Sequence, residues 1–138
     1  MHVQQMMTLH PQARGGPGQE ILTRCVEAAY DCAQICIACA DACLGEADVV
    51  RLRQCIRLDL DCADICLATG STATRRTGAN TPTLIRLLET CAVACATCAQ
   101  ECSMHGADHP HCRLCADACR RCEDLCRQSL MALQATVQ

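Results

Sequence analysis

The chain has 138 residues, enough for one domain around a single core but too few for two independent cores. It contains 17 cysteines, no phenylalanine or tryptophan and one tyrosine, and an odd number of cysteines excludes a disulfide framework that pairs all of them. The net charge is −3 and all 12 basic residues are arginine, which argues against nucleic-acid binding, and no apolar run approaches the roughly 18 residues of a membrane span.

Residues 1–18 are predicted to form an irregular, flexible N-terminal arm. Its helix breakers are Pro11, Gly15, Gly16, Pro17 and Gly18. The remainder, residues 19–138, is predicted to be a four-helix bundle. The first helix is expected over 19–44, with Gly45 as its C-terminal stop.

Three further helices are predicted along the chain. The second covers about 47–69 and is closed by Gly70, after which a polar loop continues to residue 80. The third covers about 82–104, because Thr81 offers a hydroxyl cap and Pro82 suits the first helical position. After a short turn, the fourth helix is expected over about 110–133.

Each predicted helix carries its cysteines on one narrow face. Within a helix, neighbouring cysteines are mostly three, four or seven residues apart, which confines them to an arc of roughly 60–80°. The cysteines are Cys25, Cys32, Cys36, Cys39 and Cys43; Cys55, Cys62 and Cys66; Cys91, Cys95, Cys98 and Cys102; and Cys112, Cys115, Cys119, Cys122 and Cys126. The pattern also repeats, because residues 39–43 and 115–119 are identical.

The fold class that follows is all-α, an antiparallel up-down-up-down four-helix bundle with a cysteine-lined core. Short connections favour antiparallel neighbours, and the four cysteine faces then converge on one axis. The start of the chain lacks a basic segment followed by an apolar run, so no secretory signal is recognised and a cytoplasmic location is expected. Thiols stay reduced there, and dense cysteine is typical of metal binding.

Charge balance favours a monovalent metal. Seventeen buried thiolates require matching cations, and about four Zn²⁺ in Cys₄ sites would leave roughly nine negative charges uncompensated. Cu(I) is soft and monovalent, so about one Cu(I) per cysteine approaches neutrality. A Cys-x-x-x-Cys pair on a helix also places its sulfurs about 4–5 Å apart, within reach of one metal ion with bonds of about 2.3 Å.

These features resemble the bacterial copper storage proteins. The resemblance is carried by the repeated Cys-x-x-x-Cys and Cys-x-x-Cys steps in residues 32–43, 91–102 and 112–126, and it covers roughly residues 20–130. The missing signal peptide resembles the cytosolic branch of the family. The resemblance implies a four-helix bundle that holds many Cu(I) ions by cysteine, commonly as a homotetramer, with histidine at the open end. A copper chaperone is a candidate partner for delivery.

Four residues other than cysteine are candidate ligands. His105, His109 and His111 lie at the turn between the third and fourth helices, where exchangeable imidazoles would suit copper loading, with His111 the first choice. The alternative is that these histidines are only polar or capping residues. Asp59 projects about 40° from Cys55 on the sulfur side, where a second-helix cysteine is missing. The alternative is a slightly rotated helix in which Asp59 pairs with a surface arginine.

Two rival functions remain open. One is a zinc-binding or metallothionein-like thiol buffer, and the other is an iron–sulfur protein, although cluster motifs usually draw some ligands from loops. A catalytic role is not expected, because no Ser–His–Asp set, paired carboxylates or acidified Cys-x-x-Cys after a strand is recognisable.

Overall fold

The computed structural model describes residues 2–137, and the side chains only as far as residue 135. The helices of this range are α1 (His2–Leu9), α2 (Gly16–Leu44), α3 (Arg53–Thr74), α4 (Thr81–Met104) and α5 (Pro110–Val137), with a 3₁₀ turn over Val49–Leu52 before α3. Helix α2 lies against α3 and α5, and α4 lies against the same two helices. The four long helices thus surround one axis, which confirms the predicted all-α four-helix bundle.

The core of the bundle is built mainly from sulfur. All 17 cysteines are buried, and none is more than 3% exposed. Alanines on either side of the cysteines allow the helices to approach, and leucines such as Leu52, Leu84 and Leu88 fill the remaining buried positions. Because every cysteine face points to the axis, the lining predicted from the helical period is confirmed.

The bundle has two chemically different ends. We call the histidine end the region of residues 43–52 and 102–112, where the α2–α3 and α4–α5 connections lie. We call the arginine end the region of residues 10–19, 72–84 and 129–135, where the α1–α2 and α3–α4 connections lie. The alternating direction of α2 to α5 places these two regions at opposite ends of the sulfur core.

The first residues are not irregular as predicted. Residues 2–9 form α1, which contacts α2 and buries Met7 to 3% exposure, with Val3 packed against the same core. Val3 and Met7 are four residues apart and so share one face of the helix. The helix breakers begin only at Pro11, and the turn into α2 uses Gly15 and Gly16 at φ 66° and 85°.

The predicted stop of the second helix at Gly70 is wrong. Helix α3 continues through this residue to Thr74. A Cβ on Gly70 would lie 3.1 Å from two ring carbons of Tyr30, so the glycine lets the tyrosine of α2 approach the α3 backbone. The Tyr30 hydroxyl lies 3.4 Å from Ser71 Oγ in the same contact. Glycine here serves helix–helix contact rather than helix termination.

The start of α4 is close to the prediction but differs in its cap. Pro82 lies in the first helical turn as expected, whereas the capping position is Asn80 and no side chain caps the helix. The Asn80 side chain instead donates to the Thr72 carbonyl oxygen at 3.0 Å, which ties the α3–α4 loop to the end of α3. Thr81 is the first residue of α4.

Helix α4 is more apolar than was expected from the sequence, in which no apolar run was long enough for a membrane span. Among the helices of residues 2–137 it is the one long and apolar enough to cross a membrane by length and composition, with a mean hydropathy of 1.3 over its best window. Its cysteines and leucines face α3 and α5 inside the bundle. A core helix of a bundle meets the same criterion, and the cysteines of α4 account for much of its apolar character.

Candidate metal centre

The 17 cysteine sulfurs line the bundle axis in closely spaced groups, and we call this lining the sulfur row. Every cysteine has at least one other cysteine sulfur within 4.0 Å, and these sulfur–sulfur distances range from 3.3 to 4.0 Å. The predicted i, i+4 pairs are among them, for example Cys32–Cys36 at 3.9 Å and Cys62–Cys66 at 3.8 Å. The helical period therefore brings sulfurs together both within and between helices.

The middle of the row is the densest part. Cys66 lies within 4.0 Å of Cys62, Cys91, Cys95 and Cys122, which come from α3, α4 and α5. In one quartet, Cys32, Cys66, Cys95 and Cys122, each of the four long helices contributes one sulfur, and all four sulfurs lie within 4.8 Å of one another. Two metal–sulfur bonds of about 2.3 Å span up to about 4.6 Å, so soft metal ions fit between such sulfurs with small adjustments.

Neighbouring quartets share members. Cys32 belongs also to a group with Cys36, Cys62 and Cys119, and Cys36 and Cys119 belong to another with Cys98 and Cys115. A sulfur that lies in two groups can bridge metal ions in both. The arrangement is therefore suited to clusters with bridging thiolates rather than to isolated four-ligand sites.

Asp59 lies in the row as if it were a further cysteine. It is completely buried, and its Oδ1 accepts from the thiols of Cys98 at 3.1 Å, Cys115 at 3.2 Å and Cys102 at 3.4 Å. Together with Cys39, Cys102 and Cys115 it completes a quartet that takes one group from each long helix. The alternative of a rotated helix with Asp59 paired to a surface arginine is wrong.

The surroundings of Asp59 favour its neutral form. Burial, followed by the charge of nearby Cys98 and Cys39, raises the pKa of the Asp59 carboxyl to about 10. Burial likewise raises the pKa of the Cys43 thiol, to about 11. These groups hold protons in the metal-free protein, and a metal ion that binds to them must displace those protons.

The three histidines of the α4–α5 turn face different partners. The Nδ1 atom of His111 lies 3.4 Å from Cys39 Sγ and 3.6 Å from Cys112 Sγ, and His111 forms a quartet with Cys39, Cys43 and Cys112. Its Nε2 is buried and has no hydrogen-bond partner among the described residues. Of the three histidines, His111 is the one that meets the sulfur row.

His109 and His105 are turned towards carboxylates. His109 contacts Glu46 through Nδ1 and Asp48 through Nε2, the latter at 3.1 Å. The hydrogen bond to Asp48 raises the pKa of His109. His105 Nε2 lies 3.6 Å from Glu101. Both histidines remain at the same end of the core as His111, as the sequence predicted.

Two residues that were not predicted from the sequence connect the two loops of the histidine end. Glu46 and Asp48 lie in the α2–α3 connection and join it to His109 in the α4–α5 connection. The available signal was their position next to Gly45, since an up-down bundle brings that connection beside the histidine turn. Ser129 was also missed; it is 1% exposed, and its hydroxyl lies beside the Cys25 thiol.

The opposite end of the row is closed by one sulfur pair. Cys25 of α2 and Cys126 of α5 lie 3.8 Å apart. Cys91, in the first half of α4, lies with Cys66 and Cys122 towards this side. Cys102 lies towards the histidine end, 3.3 Å from Cys55, so the expected polarity of α4 is observed.

Comparisons with known proteins agree on one family. A family model described as copper storage protein matches residues 18–131. A structure of the copper storage protein Ccsp from Streptomyces lividans, loaded with 10 copper equivalents, is 45% identical, covers 94% of this chain and 98% of its own, and superposes with a TM-score of 0.90. No curated protein sequence gives a significant match.

Two further solved structures are similar. One concerns copper loading to a cytosolic copper storage protein from Streptomyces lividans with five coppers; it is 48% identical, covers 85% of this chain and 98% of its own, and has a TM-score of 0.83. The other is the Cu(I)-bound copper storage protein BsCsp3, which is 38% identical, covers 77% of this chain and 94% of its own, and has a TM-score of 0.69.

Proposed function

The chain belongs to the copper storage protein family, and we propose that its core stores about one Cu(I) ion per cysteine. The observation that supports this capacity is the row of 17 buried sulfurs, each within 4.0 Å of another, in which neighbouring quartets share members. The shared sulfurs, such as Cys32, Cys36 and Cys119, offer bridging positions between neighbouring groups. Separate four-ligand sites would instead have no sulfur in common.

Charge supports Cu(I) over a divalent metal. Each Cu(I) that replaces one thiol proton leaves the net charge of the dry core unchanged, which avoids the large cost of buried uncompensated charge. A Zn²⁺ ion bound by four thiolates leaves two negative charges. Such a charge would recur several times along one narrow axis.

We assign ligand roles to the cysteines and to two other side chains. The 17 cysteines are the principal ligands, and Asp59 supplies an oxygen where the α3 face lacks a sulfur. His111 supplies nitrogen beside Cys39 and Cys112. His105 and His109 act around the histidine end during loading, where imidazole exchanges metal more readily than a bridged thiolate row.

The same proposal extends to the wider properties of the protein. It is a non-enzymatic store in the cytoplasm that takes copper from a chaperone and binds neither nucleic acid nor a membrane. By its family it assembles as a homotetramer. Residues 19–138 form the storage domain, and residues 1–18 are an accessory segment whose α1 lies against α2.

An anaerobic metal titration tests the proposal. Reduced, metal-free protein is titrated with Cu(I) in competition with a chromophoric chelator, and separately with Zn²⁺. Uptake of well over ten Cu(I) is expected, with release of about one proton per copper in weakly buffered solution. Saturation near four equivalents of either metal would contradict storage and would favour the zinc alternative.

A matched pair of variants checks the role of the row. Cys36→Ala removes a sulfur from the middle of the row, whereas Ser103→Ala removes a polar group from the exposed surface of the same bundle. Cu(I) capacity should fall by about one in the first variant and stay unchanged in the second. An unchanged capacity in both would show that copper is not held by the row.

A further inference from the structure

The arginine end contains a cavity next to the last sulfurs of the row. A cavity of about 270 Å³ lies between the start of α2, the start of α4 and the end of α5. Its lining residues include Arg14, Arg76 and Leu22, with Ser129 on the wall formed by α5. A second cavity of about 120 Å³ adjoins it and shares Arg14, Arg76 and Thr81, and Arg75 also lines it.

The charged residues that line the two cavities are all positive. Three arginines line the two cavities, and no described aspartate or glutamate does. Within residues 2–137 none of the three arginines forms an ion pair, whereas arginines elsewhere, such as Arg57 and Arg127, do. In a chain with a net charge of −3, such a local excess of positive charge attracts anions.

The segments that carry these arginines are held in place. The backbone N–H groups of Arg14 and Gly15 donate to Gln19 Oε1 at 2.8 and 2.9 Å, which fixes the α1–α2 turn on α2. Asn80 ties the other loop to α3 through the Thr72 carbonyl oxygen. Because the backbone of both segments is held by hydrogen bonds, the arginines are already positioned at the edge of the cavity. Little backbone ordering is therefore needed when a ligand binds.

Ser129 lies between this cavity and the last sulfurs of the row. It lines the larger cavity and is 1% exposed, and its hydroxyl lies beside the thiol of Cys25. The cavity is therefore separated from the sulfur row by the α5 wall, and its arginines remain the groups that can meet a ligand.

We propose that this cavity binds a small organic oxyanion, with Arg14 and Arg76 pairing with the anionic group. Guanidinium groups recognise carboxylate and phosphate oxygens by charge-assisted hydrogen bonds. Leu22, Ala132 and Leu133 on the same wall suit a short apolar portion of the ligand. This site lies apart from the histidine end and does not depend on copper.

The test uses metal-free, reduced, full-length protein and two probes, inorganic phosphate and hexanoate, at constant ionic strength set with sodium chloride. Amide shifts are followed by ¹H–¹⁵N NMR. Saturable shifts confined to residues 14–22, 76–81 and 129–133 are expected with at least one probe. Saturation by phosphate alone assigns a phosphate ligand, and saturation by hexanoate alone assigns a carboxylate. Linear, unsaturable shifts with both probes would overturn the proposal.

Variants separate this site from general charge effects. Arg14→Gln combined with Arg76→Gln should raise Kd at least about tenfold, since each charge-assisted contact is lost. Arg57→Gln, which removes an equal type of charge from an exposed ion pair on α3, should leave Kd unchanged. An equal loss in both variants would overturn a specific site.

Arg76→Gln alone provides a second measure. We expect a Kd about threefold to tenfold higher, because one charge-assisted contact is lost. This variant keeps the test valid if the double arginine variant is unstable. An unchanged Kd in Arg76→Gln would overturn the proposed pairing of the ligand with this arginine.

Discussion

The two ends of the sulfur row are closed by opposite chemistry. At the histidine end, His111 meets Cys39 and Cys112 directly, and acidic residues surround His109. At the arginine end, the last sulfur pair is Cys25–Cys126, and arginines line the neighbouring cavity. Neutral imidazole and carboxylate attract a metal cation, whereas guanidinium repels it. This difference is the basis for the proposal that copper is loaded at the histidine end.

The largest expected effect concerns the rate of copper loading. Replacement of His105, His109 and His111 by alanine should slow Cu(I) uptake about tenfold or more, because the exchangeable donors are lost while the sulfur row is intact. Stopped-flow absorbance after mixing with a Cu(I) complex measures the rate. Capacity should stay nearly the same.

The matched control for loading lies at the other end. Arg14→Gln combined with Arg76→Gln should leave the loading rate unchanged. An unaltered rate in the histidine variant would remove the proposed role of that end. A faster rate in the arginine variant would instead show that the positive end normally repels a second route of access.

The next effect is the pH dependence of stability in the metal-free protein. The Asp59 carboxyl ionises near pH 3.8 when unfolded but near pH 10 when folded. The unfolded state therefore binds fewer protons at this group between these values, so the contribution of Asp59 to stability is greatest below about pH 4 and falls as pH rises, by up to about 1.4 kcal/mol per pH unit. Urea unfolding at pH 5, 7 and 9 measures the trend.

Asp59→Asn tests whether this carboxyl causes the trend. The amide keeps the shape but cannot ionise, so the variant should be more stable than wild type at pH 9 and should show a flatter profile. Asp61→Asn, on the exposed face of α3, is the control and should leave the slope unchanged. Equal slopes in wild type and Asp59→Asn would contradict a neutral buried carboxyl.

A smaller effect is expected at Gly70, on the arginine side of α3. Alanine is favoured over glycine inside a helix by about 1 kcal/mol, but its Cβ would lie 3.1 Å from the Tyr30 ring. Gly70→Ala should therefore stabilise the protein by about 1 kcal/mol more in a Tyr30→Leu background than in wild type. Chemical denaturation of wild type, the two single variants and the double variant measures the difference. Additive changes in the free energy of unfolding would show that the Tyr30 ring moves aside without cost.

The smallest effect concerns the contacts of His109 with Glu46 and Asp48. Because Asp48 raises the pKa of His109, their stabilising contribution is complete below pH 6.5 and is lost as pH rises through the folded pKa. In the Asp59→Asn background, Tm should fall between pH 6 and pH 9, and His109→Gln should remove this fall. A fall of the same size in the His109→Gln variant would show that another group titrates.

The sequence predicted the features that depend on helical period. The spacing of the cysteines placed all 17 sulfurs on the axis, and the order of short turns placed the three histidines at one end. Asp59 was also located correctly on the sulfur side, because its position follows from the same period. In each case the helical period alone was sufficient to predict which face of the helix a residue occupies.

Features that depend on contact between distant segments were not predicted. Gly70 was read as a stop because its partner, Tyr30, lies 40 residues away in sequence and only the folded bundle brings them together. The helical state of residues 2–9 depends on burial of Met7 against α2. The different partners of His105, His109 and His111 likewise depend on side-chain directions and on Glu46 and Asp48, which no local pattern connects to them.

The shared membership of the sulfur quartets gives the store tolerance to damage. Cys36 has three cysteine sulfurs within 4.0 Å. When it is oxidised or replaced, Cys32 and Cys119 still contact each other, and Cys115 still contacts Asp59. Cys25 has only Cys126 at that distance in the described part of the chain. Oxidation or replacement of a cysteine in the middle of the row should therefore reduce Cu(I) capacity gradually. The same change at the arginine end leaves the partner cysteine without a neighbouring sulfur. The redundancy of sulfur contacts is therefore greater in the middle of the row than at the arginine end.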